Sequence, residues 1–307
     1  MANQIGGGRF IMFLFDHVAV IGLGLIIGSF LTVCIYRIPY GRPEGLDDMD
    51  EPESEDEQEQ TPPDITFCSP QRSICPACKK QLRWYHNVPL FSWIFLGGKC
   101  AFCKASISAQ YPLVELLSAV CAYLSYHMYG ITPTGVVVYV FCCALIVITF
   151  IDIKYYIIPD VISLPGSVIA IGLGICNEYF GFFEFPISRG AIDTLYGVLA
   201  GGGFLFLVAE FYIHVRNKTG LGFGDVKLLT LTGALLGWTG ALYTIFIGSL
   251  LGTVFGVVQL LLRGSKLSAP IPFGPYLALA SILYMFTGLG PLIDVNLLIL
   301  QLLGVAP

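Results

Sequence analysis

No Asp, Glu, Lys or Arg occurs between Leu228 and Leu262, an uncharged run of 35 residues. A hydrocarbon core about 30 Å thick is crossed by roughly 20 helical residues, so this run has the length for two short spans. Gly233, Gly237 and Gly240 loosen it and leave a re-entrant path open. Further candidate spans fall at 18–36, 112–129, 131–151, 161–177 and 191–212, and a last one begins near 275, where Pro291 and Asp294 blur its end. The chain as a whole is 55% hydrophobic and 12% charged, with mean hydropathy +0.76. Soluble domains carry about 25% charged residues. The expected fold is therefore an all-α polytopic membrane protein with about eight transmembrane helices.

The first span reads as retained. Only Arg9 precedes it, Asp16 and His17 interrupt the apolar lead-in, and no small-residue cleavage site follows. With the 37–111 segment inside and the spans alternating, the inner loops hold 14 of the 16 basic residues, leaving only Arg9 and Arg189 outside. The positive-inside bias then puts the N-terminus outside and the 37–111 loop in the cytoplasm. The net charge of −5 says nothing about nucleic acid, because 11 of the 21 acids lie between Glu44 and Asp64. That acidic, Pro-containing insertion (44–64) has too few apolar residues to bury a core and reads as a disordered linker. Three regions result: 1–36, an N-terminal tail and first helix; 37–111, a cytoplasmic loop; and 112–307, the remaining membrane helices.

Two Cys-x2-Cys knuckles, Cys75/Cys78 and Cys100/Cys103, stand 21 residues apart in the loop. That pattern fits four-thiolate binding of zinc, with a redox pair or incidental thiols as alternatives. A four-ligand site is closed, so its role would be to staple a small loop domain that cannot build much core alone. The other cysteines (34, 68, 121, 142, 143 and 176) read as apolar filler, mostly within spans.

Two acids share a membrane depth. Asp152, in "FIDIKYYIIPD", ends a span running inward, and Asp225, in "GLGFGDVKLL", enters one from the cytoplasm. A lone span-end Asp is ordinarily a solvated cap; two at one depth suggest a pair. Adjacent carboxyls share a proton, so one can take a proton from water while the other donates to a scissile amide, which suits peptide hydrolysis. Gly222 and Gly224 would let substrate approach closely. Asp160 reads as the N-terminal cap of the next span. Lys154 and Lys227 read as boundary markers that could also act on the acids electrostatically.

With these segments in place, the chain resembles the type IV prepilin peptidases. The likeness rests on "GSFLTVCIYRIP" (28–39), on "CPACKKQLRWYHNVPLFSWIFLGGKCAFCKASISAQYPLVELL" (75–117), on the two aspartate segments, and on "PFGPYLALA" (272–280). The resemblance implies cleavage of prepilin and pseudopilin leaders after a glycine at the cytoplasmic face of the bacterial inner membrane, with Asp152 and Asp225 catalytic. It also implies structural zinc on the four cysteines and N-methylation of the new N-terminus by S-adenosylmethionine. Methyl transfer would belong to residues 28–117, with Arg37 and Glu115 as candidates. Thr32 stands where the family commonly has Asn, and His86 where an acid is usual. A peptidase without methyltransferase activity is thus one alternative. A proton-coupled transporter using buried acids is another, although the cysteine loop has no place in it.

Overall fold

The computed structural model describes residues 2–40, 75, 77, 78, 80–216, 222–263 and 272–287. The expectations for the acidic insertion, for Cys68 and for Pro291 and Asp294 lie outside them. Among the described residues the regular structure is helical: α1 (Ala2–Tyr40), α2 (Phe91–Phe95), α3 (Gln110–Tyr129), α4 (Pro133–Tyr155), α5 (Asp160–Phe180), α6 (Ala191–Val198), α7 (Phe204–Arg216), α8 (Phe223–Arg263) and α9 (Gly274–Thr287). A π-helical turn, Leu199–Gly203, joins α6 to α7. Five segments are long and apolar enough to cross a membrane: Phe15–Pro39, Pro133–Tyr155, Asp160–Phe180, Ala191–Val215 and Phe223–Gln259. Large apolar side chains such as Val168, Ile169, Leu207 and Leu261 are exposed, as lipid-facing positions would be. The protein is a polytopic membrane protein.

The chain divides into two compact units, Met1–Tyr123 and Leu124–Pro307. In the first, α1 crosses α3 at small residues. A Cβ on Gly24 would lie 2.7 Å from Ala119 Cα, and one on Gly28 would lie 2.6 Å from Glu115 Cα. The Ser118 hydroxyl donates to Gly24 O at 2.8 Å across this crossing. Without a hydrophobic drive between helices in lipid, such close backbone approach and cross-helix hydrogen bonds supply the attraction.

In the second unit, α4 starts at a Thr132 cap, whose hydroxyl accepts from Gly135 N at 3.1 Å, with Pro133 at the first helical position. It ends at Tyr156 (φ 56°), whose N–H bonds Asp152 O at 2.9 Å. Pro159 then blocks continuation, and α5 begins. The buried core is apolar: Leu145, Ile148, Ile151, Leu228, Leu229, Leu236, Leu277 and Met285.

Helix α8 is two limbs. At Gly237 the backbone leaves helical geometry (φ 71°, ψ −176°), a conformation in the left-handed φ range that favours glycine. Past it, Thr239 bonds Tyr284 at 2.8 Å, Thr244 bonds Ser281 at 3.3 Å, and Gly252 packs on Phe273. These contacts run the second limb antiparallel to α9, back toward Gly274, which itself touches Asp152. The chain therefore reverses at Gly237, giving two helices in the expected run, the first starting at Phe223. The Asp193 carboxylate of α6 sits at this turn, accepting from Arg189 N at 2.9 Å and Trp238 N at 3.4 Å, and so caps the second limb.

Candidate functional site

Asp152 lies one turn before the end of α4 and is buried, 5% exposed. Asp225 lies in the first turn of α8 and is half-buried, its N–H bonded to Gly222 O at 3.1 Å. Gly224, next to Asp225, packs on Ile158, six residues beyond Asp152, so the start of α8 meets the end of α4. The two acids, 73 residues apart, thus belong to one locus.

The fold adds a group that sequence reasoning missed. Gly274 N donates to Asp152 Oδ2 at 2.9 Å. Gly274 opens α9, so the Asp152 carboxylate rests on a helix N-terminus, where unpaired amides and the helix dipole favour an acceptor. A Cβ on Gly274 would stand 2.7 Å from that oxygen, so only glycine allows this approach. The signal was present as Phe-Gly-Pro before an apolar run, although nothing local ties it to an acid 122 residues earlier.

The neighbouring residues take more specific places than expected. Gly224 packs against Ile158, whose Cβ would lie 3.1 Å from a Cβ at 224; its glycine serves the close approach of α8 to the 157–158 segment. Gly222 is exposed, with room for a Cβ 3.4 Å from Asp225 Oδ2. Asp160 is not the cap of α5. Pro159 holds that position without a side-chain bond, and Asp160, the first helical residue, pairs with Lys227 Nζ at 2.7 Å. An acid in the first turn is favoured by the dipole, and the lysine two residues beyond Asp225 completes the bridge. Lys154 Nζ lies over the Tyr155 ring, 4.9 Å from its centroid.

In the first unit the four cysteines come together. The Sγ atoms of Cys75, Cys78, Cys100 and Cys103 all lie within 4.8 Å of one another, with Cys75 and Cys103 3.8 Å apart. A tetrahedron with Zn–S near 2.3 Å has sulfurs about 3.8 Å apart, so the donor set suits one such ion. Turns hold the knuckles: Cys75 N bonds Lys80 O at 3.0 Å, and Cys100 N bonds Ala105 O at 2.8 Å. The N–H groups of Cys103 and then Phe102 pull the Cys100 thiol down to about 6. The Ala105 N–H acts the same way on Cys103, but burial and protons shared with the other three thiols outweigh it and push that group up to about 11. Among the other described cysteines, 34, 121, 142 and 143 are buried filler as expected, while Cys176 is exposed.

Glu115 is buried in α3 and accepts from Leu90 N at 2.7 Å. Leu90 occupies a strained turn (φ 59°, ψ −53°) closed by Phe91 N to Pro89 O at 2.6 Å. Arg37 sits half-buried in the last turn of α1. Thr32 is buried and donates to Ser29 O at 2.7 Å. The His86 ring meets those of Tyr85 and Phe102 edge-on, with centroids at 4.4 and 5.4 Å.

The profile of the Bacterial Peptidase A24 N-terminal domain matches residues 22–129, and that of the Type IV leader peptidase family matches residues 139–257. The chain is 36% identical over 269 residues to a prepilin leader peptidase/N-methyltransferase of Pseudomonas aeruginosa, covering 87% of this chain and 88% of the relative. A protein of the same description from Stutzerimonas stutzeri is 36% identical over 259 residues, 84% of this chain and 86% of the relative. One from Xanthomonas campestris is 36% identical over 275 residues, 88% and 91% of the two chains. No solved structure matches significantly.

Proposed function

The chain belongs to the type IV leader peptidase family, a membrane aspartic endopeptidase, and from that premise we propose that Asp152 and Asp225 cleave the leaders of prepilins and pseudopilins at the cytoplasmic face of the inner membrane. The observation that carries this reading is the meeting of the two helices that bear the acids: Gly224, beside Asp225, packs on Ile158, six residues beyond Asp152. One carboxyl takes a proton from a water as its oxygen attacks the scissile carbonyl carbon; the other protonates the carbonyl oxygen. On collapse the amine leaves with a proton from the dyad, freeing a leader carboxylate and a new N-terminus. Gly274 N–H fixes Asp152 Oδ2, so the reacting geometry of that side chain is set before substrate arrives. We propose further that α3, both limbs of α8 and α9 each cross, an eight-span topology that would put Asp152 and Asp225 on the side rich in Lys and Arg.

Methylation of the freed amine is proposed for the first unit. S-adenosylmethionine, when bound, supplies an electrophilic methyl group. Glu115 fits the need for a buried anion near a cationic sulfonium or ammonium, and Arg37 for a cation near a carboxylate. Zinc is proposed on the four cysteines as a closed structural ion. A peptidase-only reading stays open because Thr32 and His86 depart from the family pattern within this same unit.

Purified enzyme should be given a prepilin with and without S-adenosylmethionine, and the products weighed. Loss of the leader in both arms, and one added methyl only with the donor, is expected. Normal processing by Asp225→Asn would remove the dyad assignment, and an unmethylated product in both arms would leave the peptidase alone.

A further inference from the structure

We infer that α2 is a membrane-inserted anchor, its Phe91, Ile94 and Phe95 side chains seated among the acyl chains of the nearer leaflet. By sequence this stretch belongs to the soluble 37–111 loop; its contacts put it deeper. The anchor lies wholly within the first unit and makes no use of the dyad.

Depth is set through Glu115. Leu90 N donates to Glu115 Oε2 at 2.7 Å, and the Glu115 backbone lies against Gly28 of α1. Leu90 therefore stands near the level of Gly28, inside the apolar span Phe15–Pro39. That span has 25 residues, whereas a hydrocarbon core takes about 20. Asp16 and His17 keep its far edge from moving outward, because charge is costly in hydrocarbon. With all the surplus at the Pro39 end, Gly28 is still about 9 Å inside the hydrocarbon edge. A glutamate side chain and one hydrogen bond together reach less than this, so Leu90 N lies at or inside that edge. Helix α2 begins at the next residue.

The surface and the backbone of this segment both suit lipid. Phe91, Ile94 and Phe95 are 56%, 62% and 84% exposed, and their i, i+3, i+4 spacing puts them on one face. Trp93 turns the other way: its indole N–H donates to Ile107 O at 3.2 Å, and Gly98 lies against its ring. Three large apolar side chains so exposed are costly in water and favoured at the acyl boundary. Lipid also demands that backbone polar groups be satisfied within the protein. Glu115 takes the Leu90 N–H; Phe91 N bonds Pro89 O, Ser92 N bonds Val88 O, Ile94 N bonds Leu90 O and Gly98 N bonds Trp93 O.

Charge favours a lipid surface as the partner. Between Lys80 and Ala109 the charged residues are Lys80, Arg83, Lys99 and Lys104, with no acid, and all four are exposed. An apolar face on a wholly cationic segment matches an anionic leaflet, whose headgroups meet the cations while its acyl chains take the rings.

The test uses the full chain, without prepilin, in vesicles of phosphatidylethanolamine and phosphatidylglycerol, diluted so that chains do not meet. A fluorescent amino acid replaces Phe95 and, in a second preparation, Lys104, which is exposed beside Cys103. Emission from position 95 should fall several-fold with doxyl-labelled acyl chains and hardly change with iodide on both sides of the bilayer. Position 104 should show the reverse. Iodide quenching at 95 equal to that at 104 would place the helix in water and overturn the anchor. Shielding of position 95 from both quenchers would overturn it as well, since protein would then cover this face.

Discussion

At the residue scale, the site depends on groups that permit contact as much as on groups that react. Asp152→Asn and Asp225→Asn should each abolish leader cleavage while leaving helix content by circular dichroism unchanged, since each replacement is isosteric. Gly274→Val is a sharper probe. Its Cβ would fall 2.7 Å from Asp152 Oδ2 and displace the carboxylate from the α9 amide. Single-turnover kinetics should show kcat reduced by on the order of 10²-fold, the scale for a misplaced catalytic group, with prepilin binding retained. Lys227→Met should do much less. Its bridge to Asp160 is part-exposed, and such pairs are worth about 0–1 kcal/mol.

At the element scale, glycines decide which helices can meet. Gly28 of α1 lies against Glu115 Cα, and Gly197 of α6 lies against the Gly233 backbone. Backbone atoms cannot rotate away, so a larger residue must push a whole helix. Gly28→Leu and Gly197→Leu should each lower the unfolding midpoint in detergent, with overpacking costs of about 1–3 kcal/mol or more. Gly203→Leu, on the same α6–α7 helix but facing outward, should leave that midpoint unchanged. Gly237 acts differently. Its left-handed φ and the Asp193 cap turn α8 back on itself, and Gly237→Ala should destabilise the second unit although no side chain of the dyad is touched.

At the scale of the whole molecule, the two compact units carry different chemistry. The four thiols belong to Met1–Tyr123 and both aspartates to Leu124–Pro307. Stripping the protein with a strong chelator should therefore release one zinc per chain by elemental analysis, expose the 75–107 segment to protease, and still allow leader cleavage at the dyad. Cys100→Ser should give the same pattern without chelator. Loss of cleavage in step with zinc loss would show instead that the metal loop holds the peptidase unit together.

The sequence by itself determined what is local. Uncharged length marked the spans, Cys-x2-Cys spacing marked the thiolate cluster, and two acids at span ends marked the candidate pair. Each is a one-dimensional signal, because hydropathy and metal-ligand spacing act over a few helical turns. Only the tertiary structure decided the relations between distant residues: Gly274 with Asp152, Asp193 with the Gly237 turn, Glu115 with Leu90, and Asp160 with Lys227 in place of a cap. These are hydrogen bonds between elements, and no period or propensity encodes them. They form where helix packing brings a donor to an acceptor, and in this chain the packing is set by glycines whose partners lie on other helices.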